Sequence, residues 1–188
     1  MIFMEELIKI ITRIVEKKGT CLLAIDGPCA SGKTTFAETL AQKLDCNLFH
    51  ADDFFLHPEQ RTPERLAETG GNIDYERLEA ELLIPLKSGK PFCYRPYDCG
   101  IHALGAPISV EPKTIRIIEG SYSLHPRFEP YYDLKLLLEI EPTEQKKRLL
   151  QRNPALYQRF LEEWIPMEER YFTETNITQR CNIRRKSP

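Results

Sequence analysis

Neither sign of charge dominates this 188-residue chain, and it holds no long uncharged apolar run, no C-x-x-C pair and no internal repeat. Each lack excludes something. With 28 acidic against 26 basic side chains, the strongly basic footprint of a nucleic-acid-binding domain is missing. The C-terminal Arg184-Arg185-Lys186 is too short to supply one and reads as a solvated tail. The six cysteines (21, 29, 46, 93, 99 and 181) and four dispersed histidines show no zinc-ligand spacing; even Cys93 and Cys99 lie too far apart for a zinc knuckle. Residues 1–18 are amphipathic, with Leu7, Ile10, Ile11, Ile14 and Val15 set against Glu5, Glu6, Lys9 and Arg13. That is too charged for a secretory h-region or a membrane span. A reduced, cytoplasmic protein is expected, with no membrane and no nucleic-acid partner. The length suits one domain, and no linker or low-complexity tract divides it.

What is present begins with Gly27-Pro28-Cys29-Ala30-Ser31-Gly32-Lys33-Thr34, followed by Thr35. The pattern G-x-x-x-x-G-K-[ST] is that of a phosphate-binding loop. Its context agrees. Residues 21–26 are an apolar run of strand length, and Phe36, Leu40 and Leu44 are spaced for one helix face. Glycines let backbone N–H groups turn inward, and the helix N-terminus adds partial positive charge, so the loop suits phosphate. Lys33 is expected at the β- and γ-phosphates of ATP and Thr34 on Mg²⁺. Cys29 reads as a small filler of a variable loop position, with a redox handle as the alternative.

Strands are expected at 21–26, 47–51, 113–120 and 134–140, with a last one near 182–184. Helices are expected over 1–18, 35–44, 74–83 and from Pro142 onward, continuing over 156–172 until Pro166 disturbs it. The first helix is expected on the sheet edge or against a partner chain, which leaves a homo-oligomer open. Residues 57–72 form a long polar loop, and 87–111 a small β-ribbon outside the main sheet. Alternation of strand and helix predicts an α/β fold: a mostly parallel sheet between two helical layers, with the ribbon and a helical lid at about 142–172. Ligands in such a sheet gather beyond the strand carboxyl ends. That directs attention to Gly27–Thr34, Asp52-Asp53 and Glu119-Gly120.

A kinase needs a carboxylate beside the acceptor hydroxyl. Asp52 or Asp53 could supply it, or could merely form a turn. Glu119 at a strand end could join Thr34 at the metal, or could be an exposed terminus. Arg148 and Arg152 share a helix face four residues apart. They either close over phosphates or form a solvated face.

Together these motifs resemble the uridine kinase family of P-loop nucleoside kinases, relatives of nicotinamide riboside kinases and phosphoribulokinases, from about Cys21 to about Phe172. The resemblance implies that Asp52, first acid of Asp52-Asp53-Phe54-Phe55, is the catalytic carboxylate. Asp53 and Phe55 would then stand near the acceptor. Tyr97-Asp98-Cys99-Gly100-Ile101-His102 keeps the family spacing of a Tyr and a His that meet base and ribose. Glu119 matches the acidic magnesium residue, and Arg148 and Arg152 correspond loosely to lid arginines. The Asn-Phe-Asp-x-Pro segment that holds ribose hydroxyls is absent; Asn72-Ile73-Asp74 is the nearest text, making Asp74 the candidate. Arg152-Asn153-Pro154 stands where the family has Arg-Gly-Arg. An ATP- and Mg²⁺-dependent nucleoside kinase is therefore expected, its acceptor uridine- or cytidine-like. Another small alcohol (nicotinamide riboside, a sugar, pantothenate), an acceptor-free nucleotide hydrolase or switch, and a non-catalytic sensor remain the alternatives. A guanine-reading Asn/Thr-Lys-x-Asp is missing, since the only Lys-x-Asp is Lys43-Leu44-Asp45.

Overall fold

The computed structural model describes residues 2–187. In chain order its first elements are helix α1 (Ile2–Lys18), strand β1 (Cys21–Asp26), helix α2 (Lys33–Ala41) and strand β2 (Cys46–His50). Short helix α3 (Pro63–Ala67) and helix α4 (residues 75–88) follow. Next come four short strands: β3 (Phe92–Tyr94), β4 (Tyr97–Asp98), β5 (Ala103–Leu104) and β6 (Ile108–Val110). Strands β7 (Ile115–Glu119) and β8 (Leu134–Glu139), helices α5 (Pro142–Arg152), α6 (residues 157–175) and α7 (Ile177–Arg180), and strand β9 (Ile183–Lys186) complete the chain.

The five longer strands form one parallel sheet in the order β2-β7-β1-β8-β9. All six residues of β1 are buried, as a central strand covered on both faces requires. Its side chains alternate between two cores. Cys21, Leu23 and Ile25 meet α1 and α2 through Leu7, Ile11, Ala37 and Leu40. Leu22 and Ala24 face the other core, which holds Leu78, Leu82 and Leu86 of α4 and Tyr171 of α6. The expectation for α1 is thus corrected: it lies across the middle of the sheet face, and its apolar stripe is covered by its own strands. Among the described residues no helix is long and apolar enough to cross a membrane.

Three further expectations change. The region 87–111 holds two separate antiparallel ladders, β3 with β6 and β4 with β5. The polar stretch 57–72 is tied down by α3, whose N-cap Thr62 accepts from the Arg65 N–H, and by Arg65 donating to the Ile73 carbonyl. Pro166 does not break its helix. A wide π-turn at Phe160–Trp164 precedes it, as one at Glu79–Leu83 precedes Pro85 in α4. A proline ring collides with the carbonyl four residues earlier. Here those carbonyls, of Glu162 and Glu81, lie in the widened turns, so both helices continue.

Candidate active site

The phosphate loop leaves β1 at Asp26, a fully buried aspartate. Its carboxylate accepts from the backbone N–H groups of Gly27 (2.6 Å), Tyr122 (3.2 Å) and Leu124 (2.9 Å) and from the Tyr171 hydroxyl (2.7 Å). Burial raises its pKa to about 6, although these bonds favour the charged form. Asp26 therefore pins the loop to the segment after β7 and to α6. Gly27 has φ 153°, and a Cβ there would stand 2.2 Å from the Leu138 carbonyl oxygen, so the loop starts against β8 only because the residue is glycine.

At the first turn of α2, Lys33 Nζ donates to the carbonyls of Gly27 (2.7 Å) and Pro28 (2.9 Å). Thr34 Oγ1 donates to Glu119 Oε1 at 3.1 Å, and that same oxygen lies 2.6 Å from His50 Nδ1. Glu119 is 4% exposed, and its hydrogen bond raises the His50 pKa. Glu119 Oε2 is buried with no hydrogen-bond partner among the described residues. A buried hard oxygen without a donor, next to a threonine hydroxyl, fits a magnesium ion that draws its other ligands from phosphate and water. No cluster of three or more acidic, histidine or cysteine side chains able to hold a metal occurs among the described residues.

A cavity of about 900 Å³ opens in front of this loop. Cys29, Ala30, Gly32, Lys33, Thr34 and Thr35 line one end, with Arg148 and Arg152 of α5 beside them. Asp52, Phe55, Arg61, Asn72, Cys99 and His102 line another part of its wall. Asp52 makes no side-chain hydrogen bond among the described residues. Its carboxyl is open to the cavity but hemmed in by protein elsewhere, and this loss of hydration raises its pKa; Lys33 opposes the rise and Glu119 adds to it.

Other expected residues stand behind the wall. The Asp53 carboxylate accepts from the Tyr94 hydroxyl at 3.0 Å. Asp74 is 5% exposed and caps α4 by accepting from the Arg77 N–H, while Gln60 takes its second oxygen. Tyr97 is 5% exposed, its hydroxyl 3.3 Å from His102 Nδ1. None of the three is among the residues that line the cavity, and each bonds a neighbouring side chain or backbone group. Pro28 and Ser31 likewise lie behind the loop residues that line it. Burial raises the Cys29 thiol pKa, and Gln145 reaches its carbonyl and sulfur.

The sequence reading missed Arg61, Ser121 and Glu168. Glu168, on α6 and 5% exposed, accepts from the Cys29 N–H at 2.8 Å and from the Ser121 hydroxyl at 2.7 Å. Its partner is 139 positions away, so no local signal could have revealed it. Arg61 sits in a stretch without periodicity. Asp26 did carry a signal, being a charge at the end of an otherwise apolar strand. Arg148 pairs with Glu144 and donates to Ser187, which sets α5 beside the loop.

The fold matches solved structures. One is of a possible uridine kinase from Bacillus stearothermophilus, with 22% identity, 95% of this chain and 98% of that one covered, and a TM-score of 0.69. Another is the phosphoribulokinase from Rhodobacter spheroides, with 11% identity, coverage of 89% and 70%, and a TM-score of 0.56. No protein-family model matches the chain, and no curated protein does. At these identities the likeness is one of architecture, and what it establishes is that the chain has an α/β P-loop fold shared with these kinases.

Proposed function

We propose that this chain is an ATP-dependent phosphotransferase acting on a hydroxyl of a small acceptor, nucleoside-like and using its 5′-hydroxyl. The observation that carries the reading is the placing of a phosphate loop and the unpartnered Asp52 carboxylate on one cavity. Loop amides and Lys33 hold the phosphates, Lys33 exchanging its bonds to Gly27 and Pro28 for bonds to phosphate oxygen. Thr34 and Glu119 would hold magnesium, which supplies charge neutralisation between the phosphates. Asp52 orients the acceptor hydroxyl in line with the γ-phosphorus. The new O–P bond forms as the bond to the leaving ADP breaks, and the hydroxyl proton passes to Asp52. Its raised pKa makes Asp52 a better proton acceptor than an ordinary aspartate. Arg148 and Arg152 face the charge that builds on the transferred group. Phe55 and His102 enclose the acceptor.

ADP release from Mg·ATP, measured across a panel of nucleosides and small alcohols, tests this directly. Release is expected only with an accepted alcohol, and one equivalent of phosphorylated alcohol should appear per ADP. Release at an equal rate without any alcohol would instead make the chain a hydrolase.

A further inference from the structure

Arg61 is a cation on the acceptor wall with nothing acidic to balance it. Its guanidinium is half-buried and lines the cavity. Nε donates to the Leu56 carbonyl at 3.1 Å, and no carboxylate among the described residues lies within ion-pair distance. The other cationic side chains on the cavity have different settings. Lys33 and Arg148 bond the phosphate loop itself, Arg152 stands beside them on α5, and Arg159 pairs with Glu163.

The segment that carries Arg61 is hydrogen-bonded at several points. Its own N–H donates to the Pro58 carbonyl, and Leu56 is bonded to the Asn72 carbonyl across the segment. Gln60, its neighbour, is held by Asp74 at 2.9 Å. Bonding Nε to a fixed carbonyl removes the rotation that would let the guanidinium swing out to water, and leaves the two terminal nitrogens for a ligand. Asp52, on the same wall, is equally without a partner, yet the two opposite charges do not pair. The two groups line one cavity beyond ion-pair distance of each other, and Cys99 lines it with them.

A half-buried guanidinium with two unbonded terminal nitrogens and a carboxylate open to the same cavity offer one ligand two charge-assisted contacts. We infer that the acceptor is an alcohol bearing an anionic group, its hydroxyl delivered to Asp52 and its carboxylate or phosphate gripped by Arg61. A planar guanidinium with two nitrogens available matches either anion through paired hydrogen bonds. The inference rests on the phosphotransferase reading for the role of the hydroxyl but not for the anion site.

The test separates the two. With the phosphate loop occupied by Mg·AMP-PNP, inorganic phosphate and malonate are titrated calorimetrically into the wild type, Arg61→Gln and Arg61→Lys. At least one anion should bind the wild type at a single site, at least tenfold more weakly to Arg61→Gln, and with intermediate strength to Arg61→Lys; which anion prevails tells phosphate from carboxylate. AMP-PNP affinity, measured alongside, reports that the variants are folded. Turnover is then compared within matched pairs: uridine with orotidine, glycerol with glycerate and glycerol 3-phosphate. The anionic member should have at least tenfold higher kcat/KM, and Arg61→Gln should erase that advantage. Absence of any such anion site in the loaded wild type, or equal turnover of neutral and anionic members, overturns the inference and leaves the kinase reading intact. Anion binding at Arg61 combined with acceptor-independent ADP release would overturn the kinase reading alone.

Discussion

Lys33 and Asp52 line one cavity, and the proposed phosphotransfer gives them different roles that substitution should separate. Lys33→Ala removes the ammonium that reaches the phosphates, so the dissociation constant for Mg·ATP should rise by about tenfold or more, as expected for a lost charge-assisted bond, and turnover should fall with it. Asp52→Asn keeps the shape but removes the proton acceptor. Here kcat should drop by about 10²–10⁴-fold, while nucleotide affinity measured by calorimetry stays close to wild type. Equal loss of nucleotide binding in both variants would sink the division of roles. These two residues were legible in the sequence because a motif of fixed spacing carries Lys33, and Asp52 follows a strand end. Asp74 and Tyr97 also had the right spacing, and both are buried outside the cavity lining. Spacing cannot tell a helix-capping carboxylate from a ligand-binding one, because both want a short acidic side chain at a turn.

Helix α6 is the element that joins the two halves of the site. Through Glu168 it touches the phosphate loop at Cys29 and the segment after β7 at Ser121, and through Trp164 and Met167 it forms part of the cavity wall. A buried carboxylate on a loop built for phosphate competes with the incoming triphosphate for the Cys29 N–H and repels its charge. Glu168→Gln should therefore tighten Mg·ATP binding, by an order-of-magnitude estimate of about tenfold for a charge several ångströms away in a partly buried setting. The same change loosens the tie that positions α6, so the acceptor KM should rise. Weaker ATP binding in Glu168→Gln, seen by calorimetry, would show that the carboxylate supports the nucleotide site instead. The helix itself was foreseeable from its apolar spacing, but its persistence past Pro166 was not. Sequence rules treat proline as a stop, and only the widened turn at Phe160–Trp164 removes the collision.

At the scale of the whole molecule, the alternation of strands and helices was enough to predict a parallel sheet covered on both faces. The order β2-β7-β1-β8-β9 was not readable, because it depends on which way each crossover returns, and this is decided by packing between residues distant in sequence. The same distant packing joins two buried ionisable groups. Tyr171 donates to Asp26 and lies parallel to the His125 ring at 6.4 Å, while His125 stacks on Tyr75 at 4.4 Å. Burial lowers the His125 pKa from 6.5 to about 4, and its Nδ1 accepts from the Arg127 N–H, which needs a neutral ring. Burial raises the Asp26 pKa from 3.8 to about 6. The signs oppose. Between pH 6.5 and 4 the unfolded chain takes up a proton at His125 that the folded one refuses, so this contribution to stability is lost as pH falls. Asp26 acts the other way: its contribution is full below pH 3.8 and is lost as pH rises through 6. Over the shared range the two largely cancel, and removing one should expose the other. Urea unfolding of wild type and His125→Phe at pH 7, 5.5 and 4.5 provides the measurement. The stability of wild type relative to the variant should fall by about 1–2 kcal/mol from pH 7 to 4.5, after allowance for the partial exposure of His125. A difference that stays constant with pH would mean that His125 takes up its proton as readily in the fold as in the unfolded chain, and would remove the reason for placing it neutral against Tyr75.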